Sequence, residues 1–286
     1  MALVIGCSRQ DAGQAPASGP HKLSVVASIF PLADVARVIG GDRVDVVTLL
    51  PPGQSPHEFE PKPRQAESLA AADLLITVGL GLDTWADRAA QAAGSRVPHT
   101  IVFADLLPKP AGEHPTGPDP HVWLDPTFMM LYVDALARTF SSLDLDHAPE
   151  YAARAERYRA DLVTLDEQYR RELSVCPNKS FVCFHAAYGY LASRYGLTQV
   201  SLMDVSGAGF GSRRIETVIT FIREHHIKTI FAEPDEPEEQ LRAIAVQTGT
   251  RVERLDDVGN PTVPGYDSYL ALMRSNLAAL VKALKE

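Results

Sequence analysis

Three histidines in this 286-residue chain occupy positions that suit metal ligands. His57 follows an apolar run and a stretch rich in proline. His121 follows a second such stretch, and His185 comes directly after another apolar run. Imidazole nitrogen is a common ligand of Zn(II) and of other first-row divalent metals. Together the three positions predict a metal site, provided that the fold brings them to one place.

Two acidic residues are further candidates. Asp267 follows a glycine-containing stretch, stands at the head of the last predicted helix and would supply an oxygen ligand. Glu233 comes directly after a predicted strand, and we expect its carboxylate to orient a ligating imidazole. Taken alone, each has an ordinary alternative, since acidic residues at helix starts commonly serve as caps. Only the whole set of positions predicts a site.

The elements that would position these residues alternate between strand and helix. Short apolar runs predict strands at 23–29, 44–50, 74–78, 100–103, 180–184, 198–203, 228–232 and 251–255. Helical patterns lie between them, and the last covers 267–284. This alternation predicts parallel sheets that are covered by helices on both faces. Open sheets of this kind bind ligands beyond the carboxyl ends of their strands, which is where the candidates lie.

The middle of the chain departs from this rhythm. Residues 147–174 contain no glycine, and apolar residues recur at steps of four and three: Tyr151, Ala155, Tyr158, Leu162, Leu165 and Tyr169. The pattern predicts one helix of roughly 40 Å. We therefore predict an α/β fold with two lobes, each with a central, mostly parallel sheet flanked by helices, joined by one long rigid backbone helix. The predicted boundaries are 22–142 for the first lobe, 143–175 for the linking helix and 176–286 for the second lobe.

Charge and hydropathy narrow the functional class. The net charge is −9 and acidic and basic residues are mixed along the chain, which argues against a nucleic-acid partner. No apolar run approaches the roughly 20 residues of a membrane-spanning helix. The composition indicates a globular protein, and we expect a monomer.

The N-terminus resembles the end of a lipoprotein signal. The run at 3–7 is similar to a bacterial lipobox, which would make Cys7 a lipidation site. Only six residues precede Cys7, fewer than a secretory signal needs. A polar tether at 9–21 follows. We interpret residues 1–21 as a truncated signal and flexible tether, and expect the protein in the cell envelope, either periplasmic or anchored through an N-terminal lipid.

The other two cysteines leave two readings open. In an oxidising envelope, Cys176 and Cys183 could close a small disulfide loop. Alternatively, Cys183 is a small buried apolar residue within its predicted strand.

Five ordered blocks carry a resemblance to a known family. They are the segment 25–63, HVWLDP at 121–126, FHAAYGYLASRYGL at 184–197, FAEP at 231–234 and YDSYLALMRSNLAAL at 266–280. The chain resembles the solute-binding proteins of ABC importers for zinc and manganese, of the ZnuA and TroA type. This resemblance implies two lobes joined by a rigid helix, with His57, His121, His185 and Asp267 as the metal ligands. It also implies an ABC permease and its ATPase as partners.

The predicted ligand set favours one metal. In the manganese-selective branch of this family, a carboxylate commonly occupies the position of His185. Three imidazoles and one carboxylate suit tetrahedral Zn(II), whereas oxygen-richer sites suit Mn(II). We expect Zn(II) as the transported ligand, with Mn(II) or Fe(II) as the alternative, and Asp267 as the ligand that leaves first.

The same ligand set bears on catalysis. Four protein ligands leave no open coordination position for a catalytic water, so we expect no enzymatic activity. A zinc-dependent hydrolase and an adhesin are alternatives from other functional classes.

Overall fold

The computed structural model describes residues 22–92, 94, 97–108, 118–207, 211–234 and 238–286. Cys7 and the predicted tether lie outside these residues. Within the described segments, no helix is both long and apolar enough to cross a membrane.

The first lobe is built on a four-stranded parallel sheet. Its strands are β1 (Leu23–Ala27), β2 (Val44–Thr48), β3 (Leu74–Thr77) and β4 (His99–Val102), in the spatial order β2-β1-β3-β4. Its helices are α1 (Phe30–Gly40), α2 (Pro63–Ala70), α3 (Thr84–Ala92) and α4 (Pro126–Leu143). Every residue of β3 is buried, as expected of a strand covered on both faces.

The second lobe repeats this arrangement. Its strands are β5 (Ser180–Cys183), β6 (Thr198–Ser201), β7 (Thr229–Ala232) and β8 (Arg251–Arg254), all parallel and in the order β6-β5-β7-β8. Its helices are α6 (Gly189–Tyr195), α7 (Ser212–Glu224), α8 (Glu238–Thr248) and α9 (Tyr269–Leu284). The predicted two-lobed α/β fold is confirmed.

Helix α5 (Ala148–Ser174) joins the two lobes. It has 27 residues, and all six members of the predicted apolar stripe are buried along it. Near its start, Arg154 donates hydrogen bonds to the carbonyls of Ile39 and Gly40 at 2.7 and 3.0 Å. Near its end, the Tyr169 hydroxyl donates to the Met273 carbonyl at 2.6 Å. The helix is therefore fastened to α1 in one lobe and to α9 in the other.

Buried hydrogen bonds also connect the lobes directly. Trp123 is fully buried and its Nε1 donates to the Asp257 carbonyl at 2.6 Å. The Tyr269 hydroxyl donates to the Trp123 carbonyl at 2.8 Å. A buried donor or acceptor that loses its partner costs about 1–3 kcal/mol, so these contacts oppose separation of the lobes.

The structure decides between the two readings of the cysteines. Cys176 and Cys183 are both free and buried. The Cys183 thiol donates to the His185 carbonyl at 3.0 Å. Cys183 thus acts as a small buried residue next to one of the candidate ligands.

Candidate metal centre

His57 lies on the irregular segment that leaves the first sheet after β2. Leu49 and Leu50 continue the pairing with β1 for two residues, through N–H bonds to the carbonyls of Ala27 and Ser28 at 2.9 and 3.0 Å. The segment then leaves the sheet at its carboxyl edge.

The segment around His57 is pinned by a tryptophan of α3. Trp85 Nε1 donates to the Pro56 carbonyl at 3.0 Å, and the Phe59 ring packs edge-on against the Trp85 ring at 4.7 Å. These contacts hold the chain on both sides of His57, whose own side chain is half-buried.

His121 is fully buried and is oriented by a carboxylate. It precedes a short 3-10 helix, Val122–Leu124, which leads into α4. Asp119 Oδ1 accepts the His121 backbone N–H at 2.9 Å and lies 2.8 Å from Nδ1 of the same ring. The proton of the neutral ring therefore belongs on Nδ1, which leaves the lone pair of Nε2 available for a metal.

His185 comes two residues after the end of β5, at the carboxyl edge of the second sheet. It is buried, and its Nδ1 lies 3.6 Å from Oε1 of Glu233, which is also buried. Glu233 directly follows β7, the neighbour of β5 in the sheet. The two side chains thus flank the point where the strand order of this sheet changes direction, the usual ligand crevice of such sheets.

The three imidazoles converge between the lobes. His121 Nε2 lies 3.2 Å from Nε2 of His57 and 3.2 Å from Nε2 of His185. In the described part of the chain, only these three residues form a group of potential ligand atoms that all lie within 4.8 Å of one another. A tetrahedral ion with metal–nitrogen bonds of about 2.0–2.1 Å places its ligands roughly 3.3–3.4 Å apart. The observed spacing therefore matches ligands that share one ion.

Burial keeps two of these rings neutral. It lowers the pKa of His57 to about 3, with smaller contributions from His121 and His185, while Asp204 acts in the opposite direction. Burial also lowers the pKa of His121, against the opposing effect of Asp119. Metals bind neutral imidazole, so both rings are in the ligating form at neutral pH.

These shifts predict weak proton competition. Two imidazoles with ordinary pKa values near 6.5 would each be about 90% protonated at pH 5.5 and would together lower metal affinity about 100-fold relative to pH 7.5. A pKa of about 3 keeps His57 neutral throughout this range, and a lowered pKa makes the contribution of His121 smaller than tenfold. We therefore expect these two rings to cost no more than about tenfold in affinity. Competition titrations with a chelator at both pH values would measure it, and a loss of 100-fold or more would contradict the prediction.

Asp267 does not join the three histidines. It is exposed at the head of the last helix, where its negative charge contributes to raising the pKa of Asp34. Helix α9 itself begins two residues later, at Tyr269, with Ser268 as its cap. A different carboxylate lies at the site: Asp257 is buried, and its Oδ2 is 3.9 Å from His185 Nε2.

The backbone around Asp257 is held by its neighbours. Asp256 Oδ1 accepts the N–H groups of Val258 and Gly259 at 3.1 and 2.7 Å. The buried Asn276 of α9 accepts the Asp256 N–H at 3.0 Å and donates to its carbonyl at 2.5 Å. This turn follows β8, so Asp257 stands beyond the carboxyl end of a strand, as His57 and His185 do.

Comparison with known proteins identifies the family. The profile of ZnuA, described as the periplasmic component A of a zinc-uptake complex, matches residues 25–283. The chain belongs to the ZnuA family. The manganese-binding lipoprotein MntA of Bacillus subtilis is 30% identical and covers 99% of this chain and 95% of its own length. The high-affinity zinc uptake protein ZnuA of the same organism is 28% identical and covers 99% of this chain and 94% of its own length.

A solved structure shows the same fold. The periplasmic zinc-binding protein TroA of Treponema pallidum superposes with a TM-score of 0.84 at 25% identity, covering 93% of this chain and all of TroA. The ZnuA family consists of metal-binding proteins of ABC-type uptake systems, whose members differ in the metal they bind.

Proposed function

We propose that this protein captures Zn(II) in the cleft between its lobes and delivers it to an ABC permease and its ATPase. The convergence of three imidazoles, with His121 Nε2 at 3.2 Å from Nε2 of both His57 and His185, is the observation that carries the proposal. Two of the ligands come from the first lobe and one from the second, so a bound ion would bridge the lobes.

Asp257 is our candidate for the fourth ligand, in place of Asp267. Asp257 is buried and close to His185, whereas Asp267 is exposed and outside the group. Ligation by its carboxylate would complete a tetrahedral site of three nitrogens and one oxygen. Such a site has no open position for a reactive water, which supports a carrier rather than a hydrolase.

The chemistry of the ligand set favours Zn(II) over its alternatives. Mn(II) prefers sites rich in carboxylate and carbonyl oxygen, while imidazole suits zinc and later transition metals. Relatives support the alternative as well, because MntA of Bacillus subtilis is named for manganese and YfeA of Yersinia pestis for iron. The imidazole of His185, in place of a carboxylate, is the feature that favours Zn(II) over Mn(II).

His57 is our candidate for the ligand that leaves first, in place of Asp267. It is half-buried and lies on an irregular segment, whereas His121 and His185 are buried. Displacing His57 would require no change in either sheet. Release would then begin with a movement of this segment and leave the lobes in place.

Oligomeric state and cellular location complete the proposal. We propose that the chain acts as a monomer in the cell envelope, held near its permease by a lipid on Cys7. The relatives MntA and AdcA are named as lipoproteins, which supports this placement.

Glu233 gives a first mutational prediction. We propose that it orients His185, because its Oε1 lies 3.6 Å from Nδ1 of that ring and both groups are buried. Carboxylates that orient ligating histidines contribute about 10–100-fold to metal affinity. Glu233→Gln should therefore weaken Zn(II) binding about tenfold in a chelator competition assay. Glu239→Gln, at an exposed position on α8, is the matched control. Equal affinities in both variants would remove Glu233 from the site.

Metal uptake by cells tests the proposed function. Cells lacking this protein should accumulate less zinc from zinc-limited medium, and the wild-type protein should restore uptake. A variant with both His57→Ala and His185→Ala should fail to do so while reaching the same abundance. Restoration of manganese uptake but not zinc uptake would favour the alternative metal, and restoration by the double variant would contradict the site.

A further inference from the structure

Gly189, the first residue of α6, lies against the carboxylate that orients His121. A side-chain Cβ at this position would be only 2.7 Å from Asp119 Oδ2. Real Cβ atoms do not approach an oxygen so closely, so something would have to move. Gly189 is not among the glycines with positive φ, so its backbone could accommodate alanine. Glycine is needed here because a larger residue would collide with the Asp119 carboxylate. The backbone conformation itself does not require glycine.

Asp119 has little freedom to move away. Its Oδ1 is engaged by the backbone N–H and by Nδ1 of His121, at 2.9 and 2.8 Å. Its carbonyl accepts the hydroxyl of Tyr190 at 3.1 Å. The residue is buried, so a displaced carboxylate could not turn into water. A substituent at Gly189 must therefore disturb the bonds to His121 or push α6 away.

This contact links the two halves of the metal site. Asp119 and His121 belong to the first lobe, while α6 begins four residues after His185 in the second. Tyr190 strengthens the same contact, since its ring also packs edge-on against Phe128 of α4 at 5.5 Å. The start of α6 thus meets Asp119 at its carboxylate and at its carbonyl.

We infer that Gly189 is a positioning residue for the metal site. Glycine at this position leaves room for the Asp119 carboxylate, which keeps the His121 proton on Nδ1. The Nε2 lone pair of His121 is then directed at the same ion as that of His185. The inference rests on the proposed metal-binding function and adds a residue that touches neither the metal nor a ligand.

The test is a double-mutant cycle on the full protein. Gly189→Ala should weaken Zn(II) binding about tenfold or more, the range for loss of an orienting carboxylate. Asp119→Ala should cause a similar loss. Adding Gly189→Ala to Asp119→Ala should cost nothing further, because the carboxylate that it collides with is gone. Gly211→Ala is the matched control, since it precedes α7 in the same lobe and has no atom within 4 Å of the added carbon.

NMR spectroscopy distinguishes a change in the position of the His121 ring from general destabilisation of the fold. In the metal-free protein, the Nδ1 proton of His121 should give a protected NMR signal that Gly189→Ala shifts or abolishes and Gly211→Ala leaves unchanged. Unchanged Zn(II) affinity and an unchanged His121 signal in Gly189→Ala would overturn the inference. The same holds if Gly189→Ala lowers the affinity equally in the wild-type protein and in Asp119→Ala. If Gly189→Ala fails to fold, the double variant should fold again, and its failure would also overturn the inference.

The outcomes distinguish this inference from the proposed function. A wild-type protein that binds no metal would contradict the function, while the NMR signal in the metal-free protein would still test Gly189. Wild-type binding that Gly189→Ala leaves unaltered would contradict only the inference.

Discussion

Replacing Asp257 by alanine will weaken Zn(II) binding about 100-fold, whereas replacing Asp267 will leave it unchanged. Apparent binding free energies of four-ligand zinc sites are about 10–16 kcal/mol, so one ligand contributes about 3 kcal/mol, or roughly 100-fold. Asp257 is buried with Oδ2 at 3.9 Å from His185 Nε2, and Asp267 is exposed outside the group. Competition with a chromophoric chelator measures both variants.

The two aspartates form a matched pair of variants. Both lose the same side chain, and they lie on the segment between β8 and α9. Asp257→Asn removes the charge while keeping the size of the side chain, and we expect it to lose most of the same affinity. Loss of binding in Asp267→Ala with full binding in Asp257→Ala would assign the fourth ligand to Asp267 after all.

Replacing His121 by alanine should abolish tight binding and also lower stability. His121 is the ring from which both 3.2 Å contacts extend, so its loss removes the central ligand, with an expected effect of about 100-fold or more. It also leaves Asp119 buried without its ring partner, which costs about 1–3 kcal/mol. The melting temperature of the metal-free protein should therefore fall. Isothermal titration and thermal melts would measure the two effects.

A second substitution separates binding from stability. Adding Asp119→Ala to His121→Ala removes the stranded carboxylate and should restore part of the lost melting temperature without restoring metal binding. His99→Ala, at an exposed strand position, is the control for both measurements. Tight Zn(II) binding by His121→Ala would contradict the proposed site.

The fold could be predicted from sequence because its signals are local. Each buried parallel strand appears as a short apolar run, and α5 appears as a long stripe without glycine that the structure buries. Exact helix starts were less predictable. The last helix, predicted from residue 267, begins at Tyr269, because the Ser268 side chain accepts the Ala271 N–H and caps the helix there.

The structure and the sequence point to different carboxylates for the fourth ligand position. The histidines were predicted from their position beyond strand ends, and the structure brings all three together. The same rule points to Asp256 and Asp257, which directly follow the strand predicted at 251–255. Asp267 was predicted from its position at the head of the last helix and from the resemblance of its block. Which of two nearby aspartates faces the histidines depends on long-range contacts, such as the bond from Trp123 to Asp257, that no local pattern reveals.

Contacts around Asp119 differ in whether the sequence could predict them. The pairing of Asp119 with His121 is local and could have been found from their spacing of two residues. The approach of Gly189 to Asp119 joins positions 70 residues apart and depends on how the lobes pack.

The most direct test of the central claim is a competitive titration of the metal-stripped protein with Zn(II) and Mn(II). We predict one tightly bound Zn(II) per chain, held more strongly than Mn(II) and lost with His185→Ala. Stronger binding of Mn(II) would contradict the assignment of the metal. Absence of stoichiometric binding of either ion would contradict the site itself.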